Sequence, residues 1–500
     1  MPSKDFIVAI ELGSSKLRGI AGRKNADGSI TVSAVASDDS SSYIRKGIVY
    51  NIEKTVQSIT NIVNKLKATL NREISQVYVG VGGQSILSVK NEIIRDLPHD
   101  TVITQQIVNE LMDANRNKTY SDKTILDVAI QEYKVGNDLQ NDPAGIQADR
   151  LTGNFLNILW RNAFYNKLTD CFDRARVKIA ELDIAPLALA DCILDDTQKR
   201  AGCLLVDLGA DTTTMLVYHK NILRHIAVIP LGSSNITKDL TSLNIEEDVA
   251  ERMKKKYGNA YSEPKEQDKT LDYPVDIDHV VSSVKFQQVI EARVQEIIKN
   301  VIAQVPLEYI NKLNGGIVLT GGGANLKNIT TAFRKNSNIE KVVVANFIND
   351  SVNIASKTIN IPHDGTMNTL LGLLMKGDLN CDGGERNNNI FDVKTETTKT
   401  AAQAQTSESQ YVAGGTTGVR TPSEIAHAAE VQRKQDTDEW EKALADNTVG
   451  AYESYKEKYP GGLHVAEANQ KIEELTKKPN VKKGFGKLVR FFKDMVSEEE

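Results

Sequence analysis

One pattern occurs twice in this chain, about 200 residues apart, and it constrains the fold more than any other feature. Residues 7–20, IVAIELGSSKLRGI, have the pattern of a strand, a glycine-led turn and a second strand. Residues 204–218, LLVDLGADTTTMLVY, repeat it. In each copy an acidic residue, Glu11 or Asp207, closes the first strand, and a glycine follows two positions later. Each copy opens a domain-sized part of the chain, and the mixture of strands and helices predicts a largely two-sided α/β sheet architecture.

Both turns have the chemistry of a phosphate-binding loop. Glycine lets the backbone approach a phosphate closely, and successive N–H groups and hydroxyls donate to its oxygens. A lysine after the first turn supplies a point charge for the β- and γ-phosphates, and the two acidic residues would hold the hydration shell of a bridging Mg²⁺. Either copy alone is more typical of an ordinary β-hairpin, and only the repetition favours a phosphate site. The residues predicted to bind phosphate are Gly13, Ser14, Ser15, Lys16, Gly209, Ala210, Asp211, Thr212 and Thr213.

Two further segments fit the nucleoside end of a nucleotide. The strand-like run Ile317–Thr320 leads into Gly321, Gly322 and Gly323, where bare backbone could pack against a flat adenine. A predicted helix over residues 246–257 carries Glu251 and Lys254 on one face, within reach of ribose hydroxyls. Each segment has an ordinary alternative, a glycine loop in the first case and a surface salt bridge in the second.

Composition excludes several classes of protein. The 500 residues are 40% hydrophobic and 25% charged, which is typical of a globular chain with two to four domains. Lys plus Arg number 61 against 66 Asp plus Glu, so no chain-wide basic field is present for nucleic acid. The four cysteines lack C-x-x-C spacing and are expected to be reduced, buried thiols of a cytoplasmic protein. We expect neither a signal peptide nor a membrane-spanning segment.

The amino-acid composition of the chain changes after residue 380. Up to that point short apolar strands alternate with amphipathic helices, two of which are predicted over residues 53–70 and 284–310. Beyond it the composition predicts a flexible linker over 381–423, a small helical hairpin similar to one tetratricopeptide-type unit over 424–476, and a basic amphipathic segment over 477–500. One such unit cannot build a solenoid.

The final segment has the pattern of a helix that lies on a membrane surface. On a helical wheel its apolar side chains fall within an arc of roughly 160°, and cations occupy the opposite side. The alternative is a helix that docks on a protein groove. The residues predicted to contact lipid are Phe485, Lys487, Leu488, Val489, Arg490, Phe491, Phe492, Lys493, Met495 and Val496.

In the order of its parts the chain resembles the ATPase superfamily of actin, the heat-shock chaperones and the sugar kinases. Within that superfamily it is similar to the FtsA family of bacterial cell-division proteins. The likeness rests on the final helix and on four stretches of sequence: Gly47–Ile59, Gln131–Asn137, Asn141–Leu151 and Ala250–Ala260. The linker and the helical hairpin have no counterpart in this family pattern.

The resemblance implies an actin-like ATPase fold, in which two duplicated domains enclose a nucleotide cleft. An inserted subdomain would divide the first domain, and a flexible extension would follow the second. The implied boundaries are 1–83 and 163–200 for the first domain, 84–162 for the inserted subdomain and 201–380 for the second domain.

The resemblance also implies a function. The protein would bind ATP and Mg²⁺, form actin-like filaments, and anchor the FtsZ ring to the cytoplasmic face of the membrane at the division site. FtsZ would bind around residues 260–305, with Arg293 as a candidate contact, and later division proteins would bind the inserted subdomain. Further implied partners are anionic lipids and other copies of the chain, but not nucleic acid.

Hydrolysis is less well supported than binding. Glu11 stands where actin-like ATPases usually have aspartate, and no residue can be named as the base that orients water. Slow turnover is therefore compatible with the sequence. Two alternative functions are an actin-like assembly factor of a pilus or secretion machine and a soluble kinase of the same superfamily.

Overall fold

The computed structural model describes residues 6–382, apart from 264–269 and 277, and residues 437–476, apart from 438, 441, 445 and 459–463. The chain forms two compact units, Met1–Ala404 and Gln405–Glu500. Most of the predicted linker, the beginning of the predicted hairpin and the whole predicted membrane segment, Phe485 to Val496 included, lie outside the described residues.

Strands of two to sixteen residues and helices of one to six turns make up most of the described chain. The strands are β1 Ile7–Leu12, β2 Lys16–Lys24, β3 Ile30–Asp39, β4 Ile44–Arg45, β5 Ile48–Val49, β6 Gln76–Val81, β7 Leu87–Val102, β8 Lys123–Val135, β9 Asp138–Gln140, β10 Gln147–Arg161, β11 Lys178–Ile184, β12 Cys203–Leu208, β13 Thr213–His219, β14 Ile222–Ile229, β15 Asp272–Pro274, β16 Val280–Ser282, β17 Gly316–Thr320, β18 Val342–Val344 and β19 Val352–Ile354. The helices are α1 Ile52–Leu70, α2 Gln105–Arg116, α3 Asn162–Arg174, α4 Ala185–Ile193, α5 Asp196–Ala201, α6 Ser233–Leu240, α7 Glu247–Tyr257, α8 Ser283–Gln304, α9 Leu307–Ile310, α10 Ile329–Ser337, α11 Asn368–Lys376, α12 Val449–Lys458 and α13 Val465–Thr476.

The two halves of the first unit have the same sheet topology. In the first domain β1, β2 and β3 are antiparallel, and β6 and then β11 continue the sheet in parallel on the other side of β1. In the second domain β12, β13 and β14 are antiparallel, and β17 and then β18 continue in parallel beyond β12. The predicted duplication of an α/β domain is confirmed.

The helices form where the sequence supplies both a cap and an apolar face. Helix α1 begins after Asn51, whose side chain accepts a hydrogen bond from the Lys54 N–H, and it ends at Asn71 in a left-handed conformation. Its buried face includes Ile59, Ile62 and Leu66. The predicted helix over 284–310 was wrong at its end, because α8 stops at Gln304 and a separate short helix follows Pro306. Proline disfavours helical backbone at the residue before it and has no N–H to donate.

Strand β12 joins two hydrophobic cores. Leu204 and Val206 face the core of the second domain, where they lie with Phe286 and Ile290 of α8. Residues of the opposite face, such as Leu205, belong to a core shared with the first domain. Because successive strand side chains point to opposite faces, this one apolar strand packs on both sides.

The inserted segment forms a subdomain with a core of its own. Strands β7, β10, β8 and β9 are antiparallel, and helix α2 packs on them around Leu111, Leu151 and Phe155. The sheet does not stop at the subdomain. Strand β7 pairs with β14 of the second domain at Leu87 and Ala227, which joins the subdomain to the second domain in one nine-stranded sheet.

A clamp holds the end of the described part of the first unit against the first domain. The buried Tyr78 hydroxyl accepts hydrogen bonds from the N–H groups of Asp378, at 2.8 Å, and Leu379, at 2.7 Å. The Cys381 N–H donates to the Phe6 carbonyl at 2.7 Å, and the Val8 N–H donates to the Cys381 Sγ at 3.2 Å. Cys381, next to the end of this described stretch, therefore lies beside the beginning of β1.

The cysteines behave as predicted. All four are buried and none forms a disulfide. Burial raises the pKa of Cys171 to about 11 and those of Cys192, Cys203 and Cys381 to about 12, so their thiols stay protonated at neutral pH.

The described part of the second unit is helical, as the sequence predicts. Helices α12 and α13 and the residues before them share a small aromatic core of Trp440, Tyr452 and Tyr455. The Trp440 ring stacks on His464 with 5.2 Å between ring centroids. Across the described residues of both units, no helix is long and apolar enough to span a bilayer.

Tyr78→Phe should destabilise the first unit, because it leaves the backbone N–H groups of Asp378 and Leu379 without the acceptor that the Tyr78 hydroxyl provides. We expect a loss of about 1–3 kcal/mol in the free energy of unfolding, measured by urea denaturation of the full chain. Tyr165→Phe, at a tyrosine that is 41% exposed, is the matched control and should cost much less. Equal losses in the two variants would contradict a specific role for the Tyr78 hydroxyl.

Candidate functional site

The two glycine turns have matching geometry. Leu12 pairs with Leu17 and Leu208 pairs with Thr213, so each pair encloses a four-residue turn that begins with glycine. A Cβ on Gly13 would lie 2.7 Å from the Lys16 carbonyl oxygen, and one on Gly209 would lie 2.7 Å from that of Thr212. Neither glycine has positive φ. Both turns therefore need glycine for close backbone approach and not for a left-handed conformation.

One loop of the first domain contacts both turns. The Gly47 N–H donates to the Ser14 Oγ at 2.8 Å, and the Lys46 N–H donates to an oxygen of the Asp211 carboxylate at 3.1 Å. Gly47 has φ +72°, and an added Cβ would lie 2.5 Å from the Cα of Gly83. Sequence reasoning used Gly47 only as part of a family stretch and missed that this loop brings the turns face to face.

Glu11 and Asp207 lie near the ends of β1 and β12, close enough for their charges to interact. Burial raises the pKa of Glu11 to about 7, and the nearby negative charge of Asp207 adds to this rise while Arg18 opposes it. Burial also raises the pKa of Asp207 to about 6, again opposed by Arg18. The Glu11 Oε2 atom is buried and has no hydrogen-bond partner among the described residues. A pair of desolvated carboxylates with an unsatisfied oxygen is what a divalent cation would satisfy.

Arg18 is a site residue that sequence reasoning missed. It lies on β2 directly across from Glu11 in the β1–β2 pairing, and its charge acts on both carboxylates. A signal was available, since Arg18 and Lys16 are two positions apart on one strand and therefore share a face. Lys16 itself is exposed at the end of the first turn.

The three glycines after β17 pack against the second turn's strand. Gly321 has φ +83°, and a Cβ there would lie 2.2 Å from the Asp207 Oδ1. A Cβ on Gly323 would lie 2.9 Å from that of Leu208. At Gly322 the nearest atom would be 3.6 Å away, on Thr366. Close packing therefore explains why Gly321 and Gly323 are glycines. Of the three, only Gly322 has room for a side chain.

The second turn is held from inside the domain. Thr213 is fully buried, and its hydroxyl donates to the Leu231 carbonyl at 2.8 Å, so it supports the turn and does not face the cleft. The N–H groups of Ser233 and Ser234, at the start of α6, donate to the carbonyls of Gly209, at 2.9 Å, and Ala210, at 2.8 Å.

Glu251 and Lys254 are more than a surface pair. Their charged groups are 2.6 Å apart, and the Lys254 side chain is only 8% exposed. Lys254 Nζ also donates to the Ser233 carbonyl at 3.0 Å and to Thr237 at 2.8 Å. Burial opposes ionisation of Glu251, but hydrogen bonds from Lys254 and Thr237 outweigh it and lower its pKa to about 2. The pair therefore ties α7 to α6 beside the second turn.

Arg293 already pairs with two carboxylates of the second domain. Its guanidinium pairs with Asp239 of α6, at 2.5 Å and 3.0 Å, and with Glu296. Its side chain is 23% exposed, so it mainly ties α8 to α6. The sequence did not indicate this pairing.

Comparison with protein-family models gives two matches. Residues 204–366 match the model described as cell division protein FtsA. Residues 83–159 match the model described as the SHS2 domain inserted in FtsA, and this range agrees with the subdomain of β7 to β10.

Proteins of similar sequence support the same family as the family models. The FtsA cell division protein of Porphyromonas gingivalis is 30% identical over 334 residues, which cover 65% of this chain and 70% of that protein. The FtsA of Neisseria meningitidis is 30% identical over 324 residues, covering 63% and 78%. A solved PilM–PilN type IV pilus biogenesis complex has a TM-score of 0.49 and 15% identity, covering 74% of this chain and 97% of that one, and is too distant to bear on function. The chain therefore belongs to the FtsA family of cell division proteins.

Proposed function

We propose that this chain is an ATP-binding, actin-like scaffold that forms filaments and anchors the FtsZ ring to the cytoplasmic face of the cell membrane at the division site. The observation that carries the proposal is the pairing of two equivalent glycine turns, bridged by Lys46 and Gly47, with Glu11 and Asp207 between them. Such a cleft can accept a phosphate chain from both sides, and family membership supplies the context of cell division.

The residues present fit a magnesium–nucleotide complex. The buried, unpartnered oxygen of Glu11 and the neighbouring Asp207 carboxylate would hold Mg²⁺ through its water ligands. The ion would neutralise charge shared by the carboxylates and the phosphates. The phosphates would meet backbone and side-chain donors of Gly13, Ser14, Ser15, Lys16, Gly209, Ala210 and Thr212, while Asp211 and Thr213 hold the turns in place.

The nucleoside would lie on the second domain. Gly322 offers backbone with space above it, and the helix that carries Glu251 and Lys254 lies beside the same turn. Lys254 is buried among its own partners, so we propose that the Glu251 carboxylate, which is more exposed, meets the ribose hydroxyls. A scaffold that changes assembly state with ATP needs only different affinities in the two states, and slow hydrolysis suffices.

Attachment to the membrane is assigned to residues 484–496. One amphipathic helix with several cations binds anionic lipid weakly, with each cation near the surface contributing about 1 kcal/mol. A filament would align many such helices, so avidity would convert weak contacts into stable attachment. FtsZ would bind the second domain around residues 260–305, and later division proteins would bind the inserted subdomain.

Asp207→Asn should weaken binding of Mg·ATP by about tenfold or more, since a neutral amide interacts less strongly with hydrated Mg²⁺. Binding of a fluorescent ATP analogue would be measured with Mg²⁺ and with EDTA. The matched control is Glu340→Gln, which neutralises an exposed carboxylate of the same domain. Unchanged affinity of the Asp207 variant in Mg²⁺ would contradict the proposed cleft.

Mg²⁺-dependent nucleotide affinity should rise between about pH 5.5 and pH 8, because metal binding requires the ionised carboxylates. The pKa values of Glu11, about 7, and Asp207, about 6, place the rise in this window, where the pair titrates jointly. Each pH unit below them costs up to about tenfold per proton that must leave. Glu11→Gln should flatten the part of the affinity–pH curve near pH 7, where Glu11 titrates. If affinity is independent of pH in both the unchanged protein and this variant, the two carboxylates do not hold the metal ion.

The full chain should pellet with anionic liposomes, more strongly with Mg·ATP, and a chain truncated after Asn480 should not. Changing Phe491 and Phe492 together to Glu should also abolish pelleting, because each buried ring contributes about 1.5–3 kcal/mol. The matched control changes both to Leu and should retain most binding. Pelleting by the truncated chain would place the membrane contact elsewhere.

A further inference from the structure

The inserted subdomain is covalently part of the first domain, yet buried polar contacts attach it to the second. Leu87 of β7 pairs with Ala227 of β14. Next to it, the Ser88 hydroxyl donates to the Ile226 carbonyl at 3.0 Å, and the Ile226 N–H donates to the same Ser88 oxygen at 3.1 Å. These contacts fix the register of the subdomain on β14.

Arg224 of β14 is the strongest of these attachments. Its guanidinium forms two parallel hydrogen bonds to the Glu132 carboxylate, at 2.9 Å and 2.8 Å, and a third to Gln131 at 3.3 Å. The Gln131 amide in turn donates to the Leu223 carbonyl at 2.8 Å. Together Arg224, Gln131 and Glu132 form what we call the Arg224 latch. They give a role to a stretch of sequence, Gln131–Asn137, that the nucleotide site does not use.

The latch is shielded from water. The Arg224 side chain is 5% exposed and that of Glu132 is 17% exposed. The hydrogen bonds from Arg224 lower the pKa of Glu132, so the pair stays ionised at neutral pH. Tyr309 covers it, with Arg224 5.9 Å and Lys90 5.8 Å from the ring centroid, and Lys90 also pairs with Glu308. A buried, bidentate pair holds its geometry more strictly than a surface ion pair does.

Arg224 lies on the β13–β14 hairpin, and the open end of this hairpin lies next to the second glycine turn. Strand β13 begins at Thr213, directly after that turn, and β14 ends at Ile229, shortly before Leu231 and Gly232. There Thr213 bonds to the Leu231 carbonyl, and a Cβ on Gly232 would lie 2.3 Å from the Ala210 carbonyl oxygen. These contacts connect the second turn to both strands of the hairpin that carries Arg224.

We propose that the Arg224 latch couples docking of the inserted subdomain to nucleotide occupancy of the second glycine turn. The proposal rests on the proposed function, because it needs a nucleotide at that turn. Coupling between two sites is reciprocal, so opening the latch must change nucleotide affinity by the factor by which nucleotide strengthens docking. The inserted subdomain then follows the second domain, although the chain connects it to the first.

The test uses the full chain, a fluorescent ADP analogue with Mg²⁺, and hydrogen–deuterium exchange of residues 123–135. In the unchanged protein, saturating nucleotide should slow exchange in this segment. Glu132→Ala should speed exchange there and raise the Kd for the analogue by about fivefold or more, the lower end of typical allosteric coupling. Glu92→Ala, at an exposed carboxylate of the same subdomain, should change neither quantity.

Arg224→Lys provides a second variant if Glu132→Ala does not fold. It keeps the charge but loses the bidentate geometry, so both quantities should shift in the same direction by less. Faster exchange in residues 123–135 with an unchanged Kd would overturn the coupling while leaving nucleotide binding intact. Failure of the unchanged protein to bind the analogue would overturn the proposed function, and the coupling with it.

Discussion

The arrangement of the first unit depends on two carboxylates that share one desolvated site. Glu11 and Asp207 come from equivalent positions in the duplicated domains, and the fold brings them together although like charges repel. Arg18 offsets part of that repulsion, and Gly321 leaves room for the Asp207 carboxylate. In the proposed site, a bound cation would offset the repulsion that remains between the two carboxylates.

The sequence predicted the parts of this site that lie within single turns. The glycines and the acidic residues of the two turns follow from local sequence patterns. Arg18 could have been found from strand alternation. The Lys46–Gly47 loop could not, because its hydrogen bond to Asp211 joins residues 165 positions apart. The prediction of a single helix over 284–310 was wrong for a local reason, because Pro306 interrupts an otherwise regular apolar pattern.

Polar residues were the hardest to place from sequence. Lys254 and Arg293 both stand on helices with charged neighbours, yet each is largely covered and holds helix α6 through a specific partner. Arg224 carries no pattern that separates it from a surface arginine, although it is among the most buried charges of the chain. A charged side chain can be buried when the tertiary fold places a partner beside it, and a single sequence does not reveal that partner.

The Tyr78 clamp decides where mechanical tension would enter the protein. Hydrogen bonds hold Cys381 beside Phe6 and Val8, at the beginning of β1, and Glu11 lies near the other end of that same strand. A force that pulls on Cys381 would load both the Tyr78 hydrogen bonds and β1. Because β1 pairs with β2 on one side and β6 on the other, these strand pairings would resist the force in shear. Tension on the C-terminal part would thus run along the strand that carries the carboxylate of the cleft.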